Sequence, residues 1–117
     1  NALLLFNPVY DNNPTDGYGG ARIADYWEEI SPAAHITKDD PPAIVFLGTK
    51  DKLIPVAVGE RFQKAMQDAG VESELHLYED AAHGFFNPSK GGTEDYYQDT
   101  VDKMDAFLVG LGWLEAE

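Results

Sequence analysis

Residues 43–55 read AIVFLGTKDKLIP, and the order of residue types in that stretch decides the fold. Ala43–Leu47 is a continuous apolar run, which suits a strand buried on both faces of a parallel sheet. Pro41-Pro42 breaks the chain before it and Gly48 ends it. An acid, Asp51, follows within a few residues. Pro55 then suits the first turn of a helix. Val58, Phe62, Ala65, Met66 and Ala69 recur at intervals of three and four, which predicts an amphipathic helix to Ala69 with Gly70 as its C′ residue.

The same alternation extends in both directions. Upstream, Ala2–Phe6 (ALLLF) is another apolar run, ended by Asn7-Pro8, and reads as a first buried strand. The stretch Asp11–Gly20 (DNNPTDGYGG) has loop composition. Arg22–Ile30 predicts a short helix with Ile23, Tyr26, Trp27 and Ile30 on one face, ended by Ser31-Pro32. Downstream, Glu74–Tyr78 reads as a third strand. Leu75 and Leu77 share a face, an alternation expected nearer the sheet edge than the first two strands. Thr93 can cap a last helix whose apolar seam is Tyr97, Val101, Met104, Leu108 and Leu111, with Gly112 after it. Strands alternating with helices predict an α/β fold with a parallel sheet. Ala2–Phe6 is expected to be covered on its outer edge, because exposed apolar edges invite pairing. A missing N-terminal half or a second copy would supply that cover.

Composition narrows the partners. The chain has 117 residues, 44% hydrophobic, which fits a globular core in one domain or part of one. A formal charge of −13, from 21 acidic and 8 basic residues, repels phosphate backbones and anionic membranes, so neither nucleic acid nor membrane is an expected partner. No apolar run approaches the roughly 18 residues of a membrane span. With zero cysteines there is no disulfide, thiol nucleophile or cysteine zinc site.

Open parallel sheets place their sites at the carboxyl ends of strands. Asp51 and His83 each follow a strand by a few residues, so both are expected on one rim. There an acid can orient an imidazole and the imidazole can take a proton from a nucleophile. No G-x-S-x-G occurs in the chain. Ser31 precedes a proline, Ser73 begins a strand and Ser89 lies in a glycine-rich loop, so none sits on a strand-to-helix elbow. His76, flanked by Leu75 and Leu77, reads as solvated or helix-packed, and His35 as a loop residue. His76, His83 and Glu79 or Asp80 match no strong zinc spacing. Tyr10, Leu53, Phe85 and Phe86 are candidates for a substrate pocket, with Tyr18 nearby and the Asp11–Gly20 loop as a flap. Aromatic residues at a sheet rim also commonly pack the core.

Together, GTKDKLIP (Gly48 to Pro55), AAHGF (Ala81 to Phe85) and LLLFNPVYDN (Leu3 to Asn12) resemble the α/β-hydrolase family. The likeness is greatest to its carboxylesterase branch with acetyl-xylan-esterase-like members. Prolyl-oligopeptidase-type peptidases and dienelactone hydrolases share this pattern. The triad order in that family is serine, acid, histidine. The resemblance implies that Asp51 is the triad acid and His83 the general base. Asp11 is a rival acid, since some members carry the acid after the preceding strand. It also implies that residues 1–117 are the C-terminal part of a single α/β-hydrolase domain, with nucleophile and oxyanion donors outside them. The apolar start directly after Asn1 favours the same reading. The expected activity is hydrolysis of a small carboxylic ester by a serine hydrolase, with no cofactor. A prolyl-oligopeptidase-type serine peptidase and a non-catalytic, self-associating αβ fragment are the alternatives.

Overall fold

The three expected strands form one parallel sheet. A computed structural model describes residues 1–88 and 94–117. Its elements are β1 (Leu3–Phe6), α1 (Trp27–Ile30), β2 (Ala43–Gly48), α2 (Val56–Asp68), β3 (Ser73–Tyr78) and α3 (Glu94–Gly110). The strand order is β1-β2-β3. Leu3 is paired with Ala43 and Phe6 with Phe46, while Ala43 is paired with Ser73 and Gly48 with Tyr78.

β2 is the centre of the molecule because all six of its residues are buried. Successive side chains of a strand point to opposite faces. Ala43, Val45 and Leu47 therefore join Val58, Phe62 and Met66 of α2 in one core cluster. Ile44 and Phe46 join Tyr78, Phe85 and Phe107 of α3 in the other. An unbroken apolar run is what a strand sandwiched in this way requires. β1 and β3 flank it. On β1, Leu3 and Leu5 pack towards the first cluster and Phe6 towards the second, whereas Leu4 is 37% exposed. β1 is thus as much an edge as β3 among the described residues, and is not buried like β2.

α2 begins one residue later than Pro55, which is its extended N-cap (φ −63°, ψ 146°). It closes on Gly70, whose φ of 81° is costly for any side-chain-bearing residue. Gly70 N–H donates to Gln67 O and Val71 N–H to Met66 O, both at 2.9 Å, so the last carbonyls are satisfied as Val71 turns into the core beside Met66.

Two expected helices differ from the sequence reading. Of Arg22–Ile30, only Trp27–Ile30 is α-helical, preceded by a 3₁₀ turn at Gly20–Arg22. Tyr26 and Ile30 are half exposed, so the expected face finds little to pack against. A helix this short cannot be sustained by propensity alone. On α3 the seam is turned by about one position. Tyr97 is 50% exposed, while Tyr96, Thr100, Met104, Phe107 and Leu111 face the sheet. Tyr78 also donates to Asp99 Oδ2 at 2.6 Å, which anchors this face of α3 to the end of β3. Thr93, the expected cap, and Ser89 lie outside the described residues.

The rotated seam makes an unequal pair of mutants. Phe107→Ala should cost about 3–5 kcal/mol, the loss expected for a buried phenylalanine. Tyr97→Ala should stay within about 0.5 kcal/mol, as at other exposed positions. Urea midpoints of the two variants measure the difference.

Candidate active site

The site is made where the chain leaves β2 and β3 side by side. At Gly48 a Cβ atom would lie 2.2 Å from Ala81 O, so only glycine permits this approach. Backbone hydrogen bonds then join the two loops. Thr49 N–H donates to Tyr78 O and Lys50 N–H to Ala81 O, both at 2.9 Å. Asp80, itself at φ 58°, donates its N–H to Thr49 Oγ1 at 2.8 Å. The Lys50–Asp80 ion pair is exposed, and such pairs add little.

Asp51 is fixed by its own turn. Its Oδ1 accepts from Leu53 N at 2.8 Å and Ile54 N at 2.9 Å, an Asx arrangement that holds the carboxylate at the entry to α2. Its Oδ2 lies 2.8 Å from His83 Nδ1. The Asp51 side chain is 0% exposed and that of His83 is 45% exposed, so the acid sits beneath an accessible base. With Nδ1–H donating to the carboxylate, the neutral imidazole keeps Nε2 as an acceptor. Nε2 has no partner among the described residues.

Phe85 and Phe86 secure the histidine loop. Phe85 is 5% exposed and stacks on Tyr78 at 4.5 Å. Phe86, half-buried, lies 4.5 Å from the ring of Phe6. Leu53 is 45% exposed beside Asp51. Tyr10 is 4% exposed and stacks on Phe62 of α2 at 4.1 Å. Among the described residues its hydroxyl has no hydrogen-bond partner, and burial pushes its acidity well below that of an ordinary tyrosine.

Asp11, the rival acid, has other partners. It accepts from Asn13 N and Nδ2, and from Arg61 on α2 at 3.0 Å. Arg61 also forks onto Asp16, with two contacts at 2.8 Å. This ties the Asp11–Gly20 loop to α2. Burial raises the Asp11 carboxyl, but the Asn13 and Arg61 hydrogen bonds outweigh it and hold the group below its usual range. The Arg61 and Asn13 hydrogen bonds bring Asp16 down to about 2. His35 Nε2 meets Glu28 O at 2.6 Å. His76 pairs with Glu74 at 2.8 Å and stacks on Phe46, away from His83. Ser31 Oγ accepts from Asn12 N at 2.8 Å, and Ser73 Oγ is buried without a partner among the described residues. Among the described residues no three His, Asp or Glu side chains gather as a metal site.

One residue of the site escapes the sequence reading. Asn7, at the end of β1, is 6% exposed and has φ 44°. With the amide orientation that satisfies its neighbours, Nδ2 donates to Asp51 Oδ2 and Oδ1 accepts from Gly84 N, each at 3.3 Å. The sequence signal was Asn-Pro after an apolar strand, which reads only as a strand end.

A parallel sheet with helices on both faces, and an acid–histidine pair beyond adjacent strands, defines the α/β-hydrolase class. Residues 16–114 match the dienelactone hydrolase family, and the chain belongs to that family. It is similar to Thermogutta terrifontis esterase 2 phosphonylated by cyclosarin. The two are 39% identical with a TM-score of 0.84, over 100% of this chain and 43% of that one. It is also similar to the isoprenylcysteine alpha-carbonyl methylesterase ICME of Arabidopsis thaliana, at 33% identity over 56% of this chain and 16% of that protein. The acylamino-acid-releasing enzyme of Arabidopsis thaliana is 31% identical over 53% of this chain and 8% of its own length. The chain therefore spans less than half the length of these proteins.

The paired carboxylates at Arg61 give a pH signature. Both titrate lower in the folded chain than their ordinary value of 3.8. Their contribution is complete above about pH 4 and is lost as the pH falls through their lowered folded-state range, which for Asp16 lies at about 2. Urea midpoints should fall through that window, and less steeply in Arg61→Ala.

Proposed function

We propose that this chain carries the acid and base of a serine hydrolase that cleaves small carboxylic esters. The observation that carries the reading is the 2.8 Å contact between a buried Asp51 carboxylate and an accessible His83 imidazole at the carboxyl ends of neighbouring strands. A serine hydroxyl placed at Nε2 would give up its proton to His83 as its oxygen attacks the ester carbonyl. His83, now an imidazolium, is stabilised by Asp51 and returns the proton to the leaving alcohol. Water then repeats the two steps on the acyl-enzyme. Asp51 keeps the tautomer in which Nε2 can accept.

The chain has no G-x-S-x-G. In this reading, residues 1–117 are the C-terminal part of one α/β-hydrolase domain. The nucleophile and the oxyanion donors then belong to a preceding part of the protein, which pairs with the open edge of β1. Leu53 beside the acid is the best placed of the candidate pocket residues. Phe85 and Phe86 shape the site by holding its histidine loop, and Tyr10 by supporting the loop that follows β1. The likeness to solved esterases supports ester substrates. The likeness to an acylamino-acid-releasing enzyme favours, as a second reading, a serine peptidase of the prolyl-oligopeptidase type.

The full-length protein, assayed on p-nitrophenyl acetate and on an N-acetyl-aminoacyl p-nitroanilide, tests both. Ester turnover that exceeds anilide turnover is expected, with covalent labelling by an organophosphonate. Asp51→Asn should lower kcat by about 10⁴-fold, and His83→Ala by about 10⁶-fold. Near-normal rates in both variants would remove the pair from the mechanism. Residues 1–117 alone should show no turnover.

A further inference from the structure

We propose that Asn7 is a positioning residue for the acid–base pair, holding the Asp51 carboxylate and the backbone of the histidine loop to one amide. The inference rests on the hydrolase reading above. Asn7 sits at the tip of β1, where its N–H still donates to Phe46 O at 3.0 Å while its backbone has turned to φ 44°. Few side-chain-bearing residues adopt that conformation, and asparagine is among those that tolerate it. The turn aims the amide inwards, at 6% exposure, where an unpaired amide is costly. The groups that match it are the acceptor Asp51 Oδ2 and the donor Gly84 N.

The count of donors gives the contact its meaning. Asp51 Oδ1 already accepts from Leu53 N and Ile54 N, so one end of the carboxylate is fixed by its own loop. Oδ2 accepts from His83 Nδ1, which belongs to a side chain that is 45% exposed. Asn7 Nδ2 is the second donor to Oδ2, and it comes from a strand rather than from the base. With it, the carboxylate plane is defined independently of the imidazole. Through Gly84 N, the same amide fixes the residue next to His83. Acid and base are therefore registered to the end of β1, the strand that precedes both in sequence. When His83 becomes an imidazolium, the carboxylate must stay anionic and in place. A neutral donor on Oδ2 favours both. Asn7 meets no reacting atom, so its effect passes through Asp51 and His83.

Asn7→Gly and Asn7→Asp in the full-length protein separate this role from a merely conformational one. Glycine keeps the left-handed backbone and removes the amide. Aspartate keeps the shape and the acceptor for Gly84 N but turns an acceptor towards Asp51. Asn7→Gly should leave the melting temperature near that of the parent and KM within about twofold, and should lower kcat by about 10- to 100-fold, the scale of a small misplacement of catalytic groups. Asn7→Asp should lose more. The His83 Nδ1–H proton resonance should be resolved in the parent and exchange faster in both variants. Wild-type kcat and an unchanged resonance in Asn7→Gly would overturn the proposal. If glycine prevents folding, the same two readouts in Asn7→Asp decide it. Asp51→Asn is the control. An active Asp51→Asn protein would overturn the hydrolase reading itself. An inactive one beside a normal Asn7→Gly would overturn only the role of Asn7.

Discussion

The contact on which the site depends is between backbones, at the point where Gly48 lies against Ala81. A Cβ there would sit 2.2 Å from a carbonyl oxygen. Because it is absent, Lys50 N–H can reach Ala81 O and the loops beyond β2 and β3 share hydrogen bonds. Everything at the site is referenced to that join. Asp51 is three residues beyond Gly48 and His83 two beyond Ala81, so neither side chain has much chain over which to drift. The strand register makes the join possible, since Gly48 and Tyr78 are partners at the last step of the β2–β3 ladder.

The division of burial between acid and base follows from the same geometry. The carboxylate is held under the loop by two backbone N–H groups, and this is what makes a buried charge tolerable. The histidine loop is held by ring contacts of the two residues that follow Gly84, Phe85 stacked on Tyr78 and Phe86 tilted against Phe6. These are interactions of different kinds with one outcome. The acid is hydrogen-bonded and shielded, and the base is anchored at its loop yet accessible at its ring.

Much of this was legible in the sequence, for reasons that can be named. β2 was clear because a strand buried on both faces needs an unbroken apolar run, and AIVFL has no other ready interpretation. α2 was clear because its period and its closing glycine agree. That Asp51 and His83 would meet on one rim was legible because each follows its strand by a few residues. The failures have causes too. α1 was overextended because Ile23, Tyr26, Trp27 and Ile30 carry helical spacing, but periodicity does not report whether a partner surface exists. The α3 seam was misplaced by one position because apolar residues occur at both 96–97 and 107–108, and only tertiary packing chooses between them. Phe85 and Phe86 were pocket candidates of a residue type that commonly packs the core, and their ring partners Tyr78 and Phe6 are set by tertiary packing that sequence does not show. Asn7 was missed because its role lies in a backbone angle and an amide orientation, neither of which a sequence pattern encodes.

The site and the open edge of the sheet are parts of one problem. β1 is hydrogen-bonded to β2 on one side, and among the described residues nothing pairs with it on the other. Leu4 lies 37% exposed on that strand. Yet Phe6, which stacks with Phe46 and packs tilted against Phe86, and Asn7, which meets the acid loop and Gly84, both belong to β1 or its end. An edge strand with one ladder is held less firmly than a central one, because half of its backbone groups lack a partner strand. Any strand added beyond β1 would therefore do more than cover apolar surface. It would stiffen the segment that carries Phe6 and Asn7, and through them the distance between Asp51 and His83. In the proposed intact hydrolase, the portion that supplies the nucleophile would then also tighten the acid–base pair that the nucleophile needs.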